Sequence, residues 1–129
     1  MITFGRIVIL VYDYEEALEF YVEKLGLVLS TDFEAGERRF VHLCFPSQRD
    51  AGVWLLKAET EKDVAVVGQQ AGDQPIGVLY TDNFYNEFDR LQGSGVQFLE
   101  QPIEADGAIS AHFVDLYGNK FVLVQVENA

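Results

Sequence analysis

The chain has 129 residues, of which 49% are hydrophobic and 23% charged, a balance typical of a soluble globular domain with a buried core. Its net charge of −12 argues against nucleic acid as a partner, because such partners require Lys and Arg to neutralise phosphates. No apolar run approaches the ~18 residues that a membrane span needs, and the N-terminus has the pattern of a strand rather than of a secretory signal. The single cysteine, Cys44, permits no internal disulfide. We therefore expect a cytoplasmic protein without a membrane or nucleic-acid partner.

The first half of the chain predicts one helix among four strands. Residues 6–12, RIVILVY, are apolar at odd and even positions alike, as in a strand covered on both faces. Asp13 and Glu16 form a capping-box pattern at the start of a helix, and Gly26 supplies its C-terminal end. Three strand-like runs follow, namely LVLSTDF, RRFVHLCF and VWLLKA. The predicted order is β-α-β-β-β.

The second half of the chain repeats this order. A strand, IGVLY, precedes a helix predicted from Asp82 to about Leu91, and the runs VQFLEQ, ISAHFVD and KFVLVQV follow. Asp13 and Asp82 are 69 residues apart (82 − 13), and so are the glycines that end the two helices, at positions 26 and 95. The chain thus reads as one small unit written twice.

These repeats predict a single α+β domain with three parts. They are a repeat unit over residues 1–58, a connection over 59–73 and a second repeat unit over 74–129. The connection is polar except for an apolar insert, residues 64–67. We expect this insert to pack, either on its own chain or against a second subunit.

Two motifs accompany the repeats. The run V-x-D-x-x-x-A-x-x-F-Y spans Val11 to Tyr21, and an Asp-x-x-Gly-Asn turn from Asp115 to Asn119 precedes the last strand. With this combination the chain resembles, over nearly its whole length, the vicinal oxygen chelate superfamily of glyoxalase I, extradiol dioxygenases, fosfomycin-resistance enzymes and bleomycin-binding proteins. The resemblance implies two sheets that curl together into a cup around a small-molecule ligand, and it implies a homodimer. It does not settle the activity.

Metal-dependent members of that superfamily place a His on the first strand of a unit and a Glu or other ligand on its last strand. The resemblance maps these positions onto Arg6, Leu55, Pro75 and Val122. Divalent ions require imidazole, thiolate or carboxylate donors, which none of these residues offers. Neighbouring residues reached by a one-residue slip, such as Gln74, Trp54, Leu56, Phe121 and Leu123, are no better. We therefore expect no metal ion and no cofactor.

The mapped positions nominate the residues that line the cup, because side chains alternate between the two faces of a strand. Arg6 would share its face with Val8, and Leu55 with Lys57. The opposite set, which would pack under the helices, comprises Ile7, Ile9, Val11, Trp54, Leu56, Phe121 and Leu123. The predicted ligand-binding residues are Arg6, Val8, His42, Leu55, Lys57, His112 and Val122.

The polar members of this set each allow two interpretations. His42 and His112 could act as acid or base near neutral pH, or they could be hydrogen-bonded strand residues without a catalytic task. Arg6 and Lys57 would suit an anionic group if they point inward, but they would reach solvent if they lie at strand ends.

The leading hypothesis is a metal-independent small-molecule binding protein that holds an amphipathic or aromatic ligand. The alternative is a lyase, an isomerase or a dioxygenase-like enzyme with a displaced metal or a mechanism built on His42, His112 and Arg6. An interaction module with a vestigial cup is a third reading.

Overall fold

The β-α-β-β-β order predicted for each half of the chain is present in the structure. The computed structural model describes residues 1–127, and the chain divides into one compact unit over Met1–Val67 and a second that begins at Gly68. This division falls inside the predicted connection, residues 59–73.

The first unit contains a four-stranded mixed sheet. Its elements are β1 (Arg6–Val11), α1 (Tyr14–Leu18), a π-helical segment (Glu19–Lys24), β2 (Val28–Ala35), β3 (Arg38–Phe45), β4 (Gln48–Lys57) and α2 (Glu61–Val66). The strand order is β1-β4-β3-β2, in which β1 runs parallel to β4 and the other pairs are antiparallel.

The second unit has the same topology with one additional strand. Its elements are β5 (Pro75–Tyr80), α3 (Phe84–Gly93), β6 (Gln97–Phe98), β7 (Ile103–Ala105), β8 (Ala108–Val114) and β9 (Lys120–Val126). The order is β5-β9-β8-β6, with β5 parallel to β9 and with β7 paired to β8. The predicted α+β class with two mixed sheets is confirmed.

The first helix begins as predicted and then widens. Asp13 is its N-cap, with Oδ2 accepting a hydrogen bond from the Glu16 N–H at 2.9 Å. Beyond α1 the helix becomes π-helical, and the Leu25 N–H donates to the Phe20 carbonyl at 2.9 Å. Gly26, at φ 99°, then ends it. A π-helical turn accommodates an additional residue without breaking the helix.

The second helix has no such insertion, and its start differs from the prediction. It begins at Phe84 rather than Asp82, with Asn83 as an N-cap that makes no side-chain capping bond. The Phe84 N–H instead donates to Oε1 of Gln125 on β9, at 2.6 Å. The cap therefore comes from a residue 41 positions away, which a local pattern does not reveal.

The strand predicted at VQFLEQ is cut to two residues, β6. Pro102 follows shortly, and proline cannot donate to a strand ladder. The chain then forms β7, an unpredicted strand, which turns into β8 through Asp106 and Gly107 at φ 53° and 76°. Two positive φ values are the signature of a tight hairpin turn, so the Asp-Gly pair was the missed signal.

Each sheet packs one face against the helix of its own unit. In the first unit Ile9, Val11 and Leu55 are fully buried, and Arg39, which shares the face of Val41, pairs with Glu15 of α1 at 2.9 Å. In the second unit an aromatic stack connects α3 to the sheet through Phe88, Phe98, Phe113 and Phe121, with successive ring centroids 4.4, 5.5 and 5.3 Å apart. The opposite face of each sheet, turned away from α1 or α3, is called its open face below.

The apolar insert of the connection lies at the end of α2. Val67 is buried, whereas Val64 and Val66 remain 40% and 39% exposed. Only part of the insert packs within the described chain. Among residues 1–127, no helix combines the length and the apolar character required to cross a membrane.

Candidate functional site

The Asp-x-x-Gly-Asn turn holds the entry to β9. Oδ1 of Asp115 accepts hydrogen bonds from the Tyr117 and Asn119 N–H groups at 2.8 and 2.9 Å, and Oδ2 accepts from Asn119 Nδ2 at 2.8 Å. Gly118 adopts φ 100°, a conformation that favours glycine. The Asp115 and Asn119 side chains are both buried, and the turn sets the register in which Val122 faces the open side of the sheet.

One row of paired residues crosses the open face of each sheet, and paired residues on neighbouring strands share a face. In the first unit the row is Val8, Trp54 and His42. In the second unit it is Val78, Val122 and His112. The counterpart of Val122 is therefore Trp54, and the two histidines occupy equivalent positions.

The predicted faces of Leu55 and Lys57 are wrong. Leu55 is in register with Ile9 and Val41 on the side of α1, where it is fully buried. Lys57 lies on that same side, at the exposed end of β4 beside the Tyr14 hydroxyl, which accepts a hydrogen bond from its N–H at 3.0 Å. Trp54 and Leu56, predicted to pack under the helix, lie on the open face instead. The error arose because both faces of β4 are apolar, so alternation carried no signal of direction.

The open face of the first unit carries a continuous aromatic strip that the sequence analysis did not identify. The rings of Phe33 and Phe40 stack at 5.1 Å, and those of Phe40 and Trp54 at 5.9 Å. We name these three residues the aromatic shelf. The Arg38 guanidinium lies 5.6 Å from the Phe40 ring centroid. Phe33 is 52% exposed, so one end of the shelf is open to solvent.

His42 stands beside the shelf, with its ring in edge contact with Trp54 at 5.5 Å. Within residues 1–127, His42 Nε2 and Trp54 Nε1 are buried atoms without a hydrogen-bond partner. Burial lowers the pKa of His42 below its ordinary value, and the positive charge of Arg6 lowers it further. Arg6 is exposed and shares the open face with Val8, as predicted. The imidazole is therefore neutral at neutral pH.

His112, the equivalent residue in the second unit, has partners. Its Nδ1 lies 2.9 Å from Oε1 of Glu100, and its backbone N–H donates to the same oxygen at 2.6 Å. Burial raises the pKa of Glu100, but these hydrogen bonds and the nearby imidazole lower it by more, so the net pKa lies below the ordinary value. Val122 and Val78 complete this row on the open face, as the mapping of Val122 predicted.

The divalent metal ion that the superfamily resemblance implies does not fit these residues. The open face presents Arg6, Trp54 and Val122 where ligands are expected, and none supplies a donor suited to a divalent ion. Within residues 1–127, no three side chains of His, Cys, Asp or Glu converge closely enough to hold a metal. His112 and Glu100 form a pair without a third ligand.

Comparison with known sequences identifies the family. The profile of the Glyoxalase/Bleomycin resistance protein/Dioxygenase superfamily matches residues 3–123. The chain belongs to this superfamily. It is 35% identical over 125 residues to an uncharacterised protein of Shewanella frigidimarina, which covers 95% of this chain and 93% of the relative. It is 32% identical over 120 residues to YurT of Bacillus subtilis, covering 91% and 94% of the two chains.

Several solved structures share the fold. UcmS2 superposes with a TM-score of 0.85 at 26% identity, covering 96% of this chain and 98% of the other. TnmS3, an antibiotic binding protein from Streptomyces sp. CB03234, superposes with a TM-score of 0.80 at 24% identity, covering 98% of both chains. A superfamily member from Sphaerobacter thermophilus gives 0.71 at 25% identity, covering 97% and 98%.

Proposed function

We propose that this chain is a small-molecule binding protein that holds an aromatic or amphipathic ligand on the open face of its first unit. The observation that carries the proposal is the aromatic shelf of Phe33, Phe40 and Trp54. Stacked rings, one of them half-exposed, offer a flat apolar surface to a flat ligand. The fold shared with TnmS3, an antibiotic binding protein, supports the same type of function.

The shelf is suited to stacking rather than to enclosing a ligand. Aromatic pairs contribute about 0.5–1.5 kcal/mol each beyond the apolar area that they bury. A planar ligand on two of these rings thus gains about 1–3 kcal/mol of selectivity over an aliphatic molecule of equal area. Ligands with fused rings should therefore bind more tightly than aliphatic ones of the same size.

Intrinsic fluorescence provides a direct test, because Trp54 is the chain's one tryptophan. Fused-ring compounds should change its emission on titration, and calorimetry should return the same dissociation constant. Phe33→Ala should weaken binding about fivefold, by loss of one stacking partner. Tyr85→Ala, at an aromatic residue of similar exposure on α3, is the matched control and should bind as the parent does. A shelf that binds none of a broad panel of aromatic compounds would refute the proposal.

We also propose that this binding needs no divalent metal ion. The support is the donor chemistry of Arg6, Trp54 and Val122 on the open faces. Dialysis against a chelator should leave ligand affinity unchanged. Elemental analysis that finds about one zinc, nickel, iron or manganese ion per chain would contradict the proposal.

The pairing of His112 with Glu100 favours a second candidate, an enzyme of the lyase, isomerase or dioxygenase-like type. A carboxylate on Nδ1 orients an imidazole so that its other nitrogen can accept or donate a proton. Turnover of any identified ligand, followed by NMR, would reveal such an activity. His112→Gln should then abolish turnover and leave affinity nearly unchanged, whereas a pure binding protein would show no turnover in either form.

Two further properties belong to this proposal, a homodimeric state and a cytoplasmic location. The superfamily resemblance and the exposed valines of α2 support the homodimer, and light scattering on the purified protein tests it. A free, buried Cys44 is compatible with a reducing compartment. A mass equal to one chain at micromolar concentration would contradict the homodimer.

A further inference from the structure

Two buried nitrogen atoms at one end of the aromatic shelf have no partner within residues 1–127. They are His42 Nε2 and Trp54 Nε1, on residues in direct register across β3 and β4. The indole N–H can only donate, and a buried donor without an acceptor costs about 1–3 kcal/mol. Native proteins satisfy nearly all such groups with protein, water or ligand atoms. This pair therefore marks a place where hydrogen-bond partners are expected.

Two guanidinium groups act on residues of the shelf or beside it. Arg6 shares the open face and acts electrostatically on His42, and Arg38 lies over Phe40. The acidic neighbour Asp32 lies on the opposite face, where Arg39 binds it at 2.8 Å. In a chain of net charge −12, the shelf thus has two guanidinium groups available to an anionic ligand. Guanidinium groups are well suited to carboxylates, which they bind with charge-assisted hydrogen bonds.

We infer that the ligand of the shelf is a planar aromatic carboxylate, which the site selects over neutral and cationic aromatic molecules. This inference rests on the proposed binding function and specifies its ligand class. The ring of the ligand stacks on the shelf, and its carboxylate accepts a hydrogen bond from Trp54 Nε1. Arg6 supplies the opposite charge. His42 donates through Nε2 in the tautomer that carries its proton there.

The neutral state of His42 makes this arrangement specific. Burial and the charge of Arg6 keep the imidazole uncharged, so Arg6 supplies the fixed charge and the two rings supply directional donors. Because the two nitrogen atoms are closed to solvent, the carboxylate reaches them only when the side chains that cover them move aside. A neutral ligand gains nothing from the charge of Arg6, so we expect Arg6 to strengthen binding of the acid alone.

Three probes of one shape test the inference: 2-naphthoate, 2-naphthamide and 2-naphthylmethylammonium. Calorimetry at low salt should show that the carboxylate binds about tenfold more tightly than the amide, and that the cation binds most weakly. Arg6→Gln should reduce the preference for the acid to about one, with the amide affinity unchanged. Trp54→Phe, which keeps a ring but removes the N–H donor, should weaken naphthoate about fivefold.

Arg90→Gln is the matched control, since it removes one positive charge from α3, where Arg90 pairs with Glu87. This variant should keep the parent protein's preference for naphthoate over naphthamide. Equal binding of all three probes would overturn the inference while the proposed binding function stands. Failure of these probes and of every other aromatic compound would instead refute the proposed function. If Arg6→Gln still binds naphthoate more tightly than naphthamide, Arg6 is not the group that selects the carboxylate.

Discussion

His42 and His112 occupy the same position in the two repeats, yet their surroundings differ. Each stands on the strand before the last in its unit, in register with the last strand on the open face. His112 shares a carboxylate oxygen of Glu100 through its ring and its backbone. His42 has instead an aromatic neighbour, Trp54, and a buried nitrogen atom that finds no partner among residues 1–127.

The neighbouring residue in each row explains the difference. The last strand supplies Trp54 in the first unit and Val122 in the second. The indole stacks with Phe40 and is in edge contact with the His42 ring, and burial of His42 lowers the pKa of its imidazole. The smaller valine stands in a row whose histidine is paired with an acid. The first unit thus has an aromatic surface with two nitrogen atoms that lack a partner within residues 1–127, and the second has a partly exposed His112–Glu100 pair.

The largest expected effect comes from Trp54→Val, which gives the first row the residue of the second. Removing the indole at one end of the shelf should weaken aromatic ligands by about a hundredfold, since stacking and one donor are lost together. The reciprocal change, Val122→Trp, should leave affinity near the parent value. Calorimetry checks both variants. Comparable losses in both would show that ligand binding is not confined to the first unit.

A substitution in the turn before β9 should lower the stability of the protein and perturb the row of His112, but not the row of His42. Asp115→Ala removes a buried carboxylate that accepts three hydrogen bonds, and we expect the free energy of unfolding to fall by about 2–4 kcal/mol. Urea denaturation followed by circular dichroism measures this. In NMR spectra of the folded variant, the resonances of His112 should shift because the turn sets its register, whereas those of His42 should not. Equal shifts at both would argue against independent rows.

The free energy of unfolding should depend on pH in two separate ranges, an upper one set by His42 and a lower one set by Glu100. A histidine with a lowered pKa binds its proton more weakly in the folded state, so His42 should destabilise the fold as pH falls below about 6.5, its ordinary pKa. The loss should stop once pH passes below the folded-state pKa. Glu100, also with a lowered pKa, should contribute stability above about 4.5 that is lost as pH falls through its folded value.

Two variants test which group is responsible for each pH range. His42→Gln should remove the change in the free energy of unfolding in the upper range, and Glu100→Gln should remove it in the lower range. Urea denaturation at a series of pH values measures both. Arg6→Gln should raise the pKa of His42, observed by NMR, because a nearby positive charge is removed. A change in the upper range that persists in His42→Gln would mean that another group titrates there.

The residue offset between the two units identified the repeat but not every pair of equivalent residues. Landmarks at Asp13, Asp82, Gly26 and Gly95 indicated an offset of 69, while the histidines stand 70 apart (112 − 42). The π-helical segment adds one residue to the first helix, so the offset of 70 between the N-caps Asp13 and Asn83 (83 − 13) falls to 69 at the glycines that follow the helices. No single offset relates all the equivalent side chains, since Val8 and Val78 are 70 residues apart (78 − 8) but Trp54 and Val122 are 68 apart (122 − 54).

The candidate site was predicted only in part. Arg6, Val8, His42, His112 and Val122 lie on open faces, and their roles in ligand binding remain predictions. The shelf went unrecognised because its rings come from three strands that only cross-strand register brings together. Nothing in the local pattern around Phe33 indicates that it stacks on Phe40.

The sequence by itself determined the two β-α-β-β-β units, the cap at Asp13, the turn led by Asp115 and the superfamily. These features depend on local chemistry, namely turn residues, helix caps and the length of apolar runs. Only the tertiary structure decided which side of β4 faces α1, and hence that Trp54 rather than Leu55 joins the row of His42. The reason is physical: in a strand that is apolar on both faces, hydrophobicity favours neither orientation, and packing against the helix makes the choice.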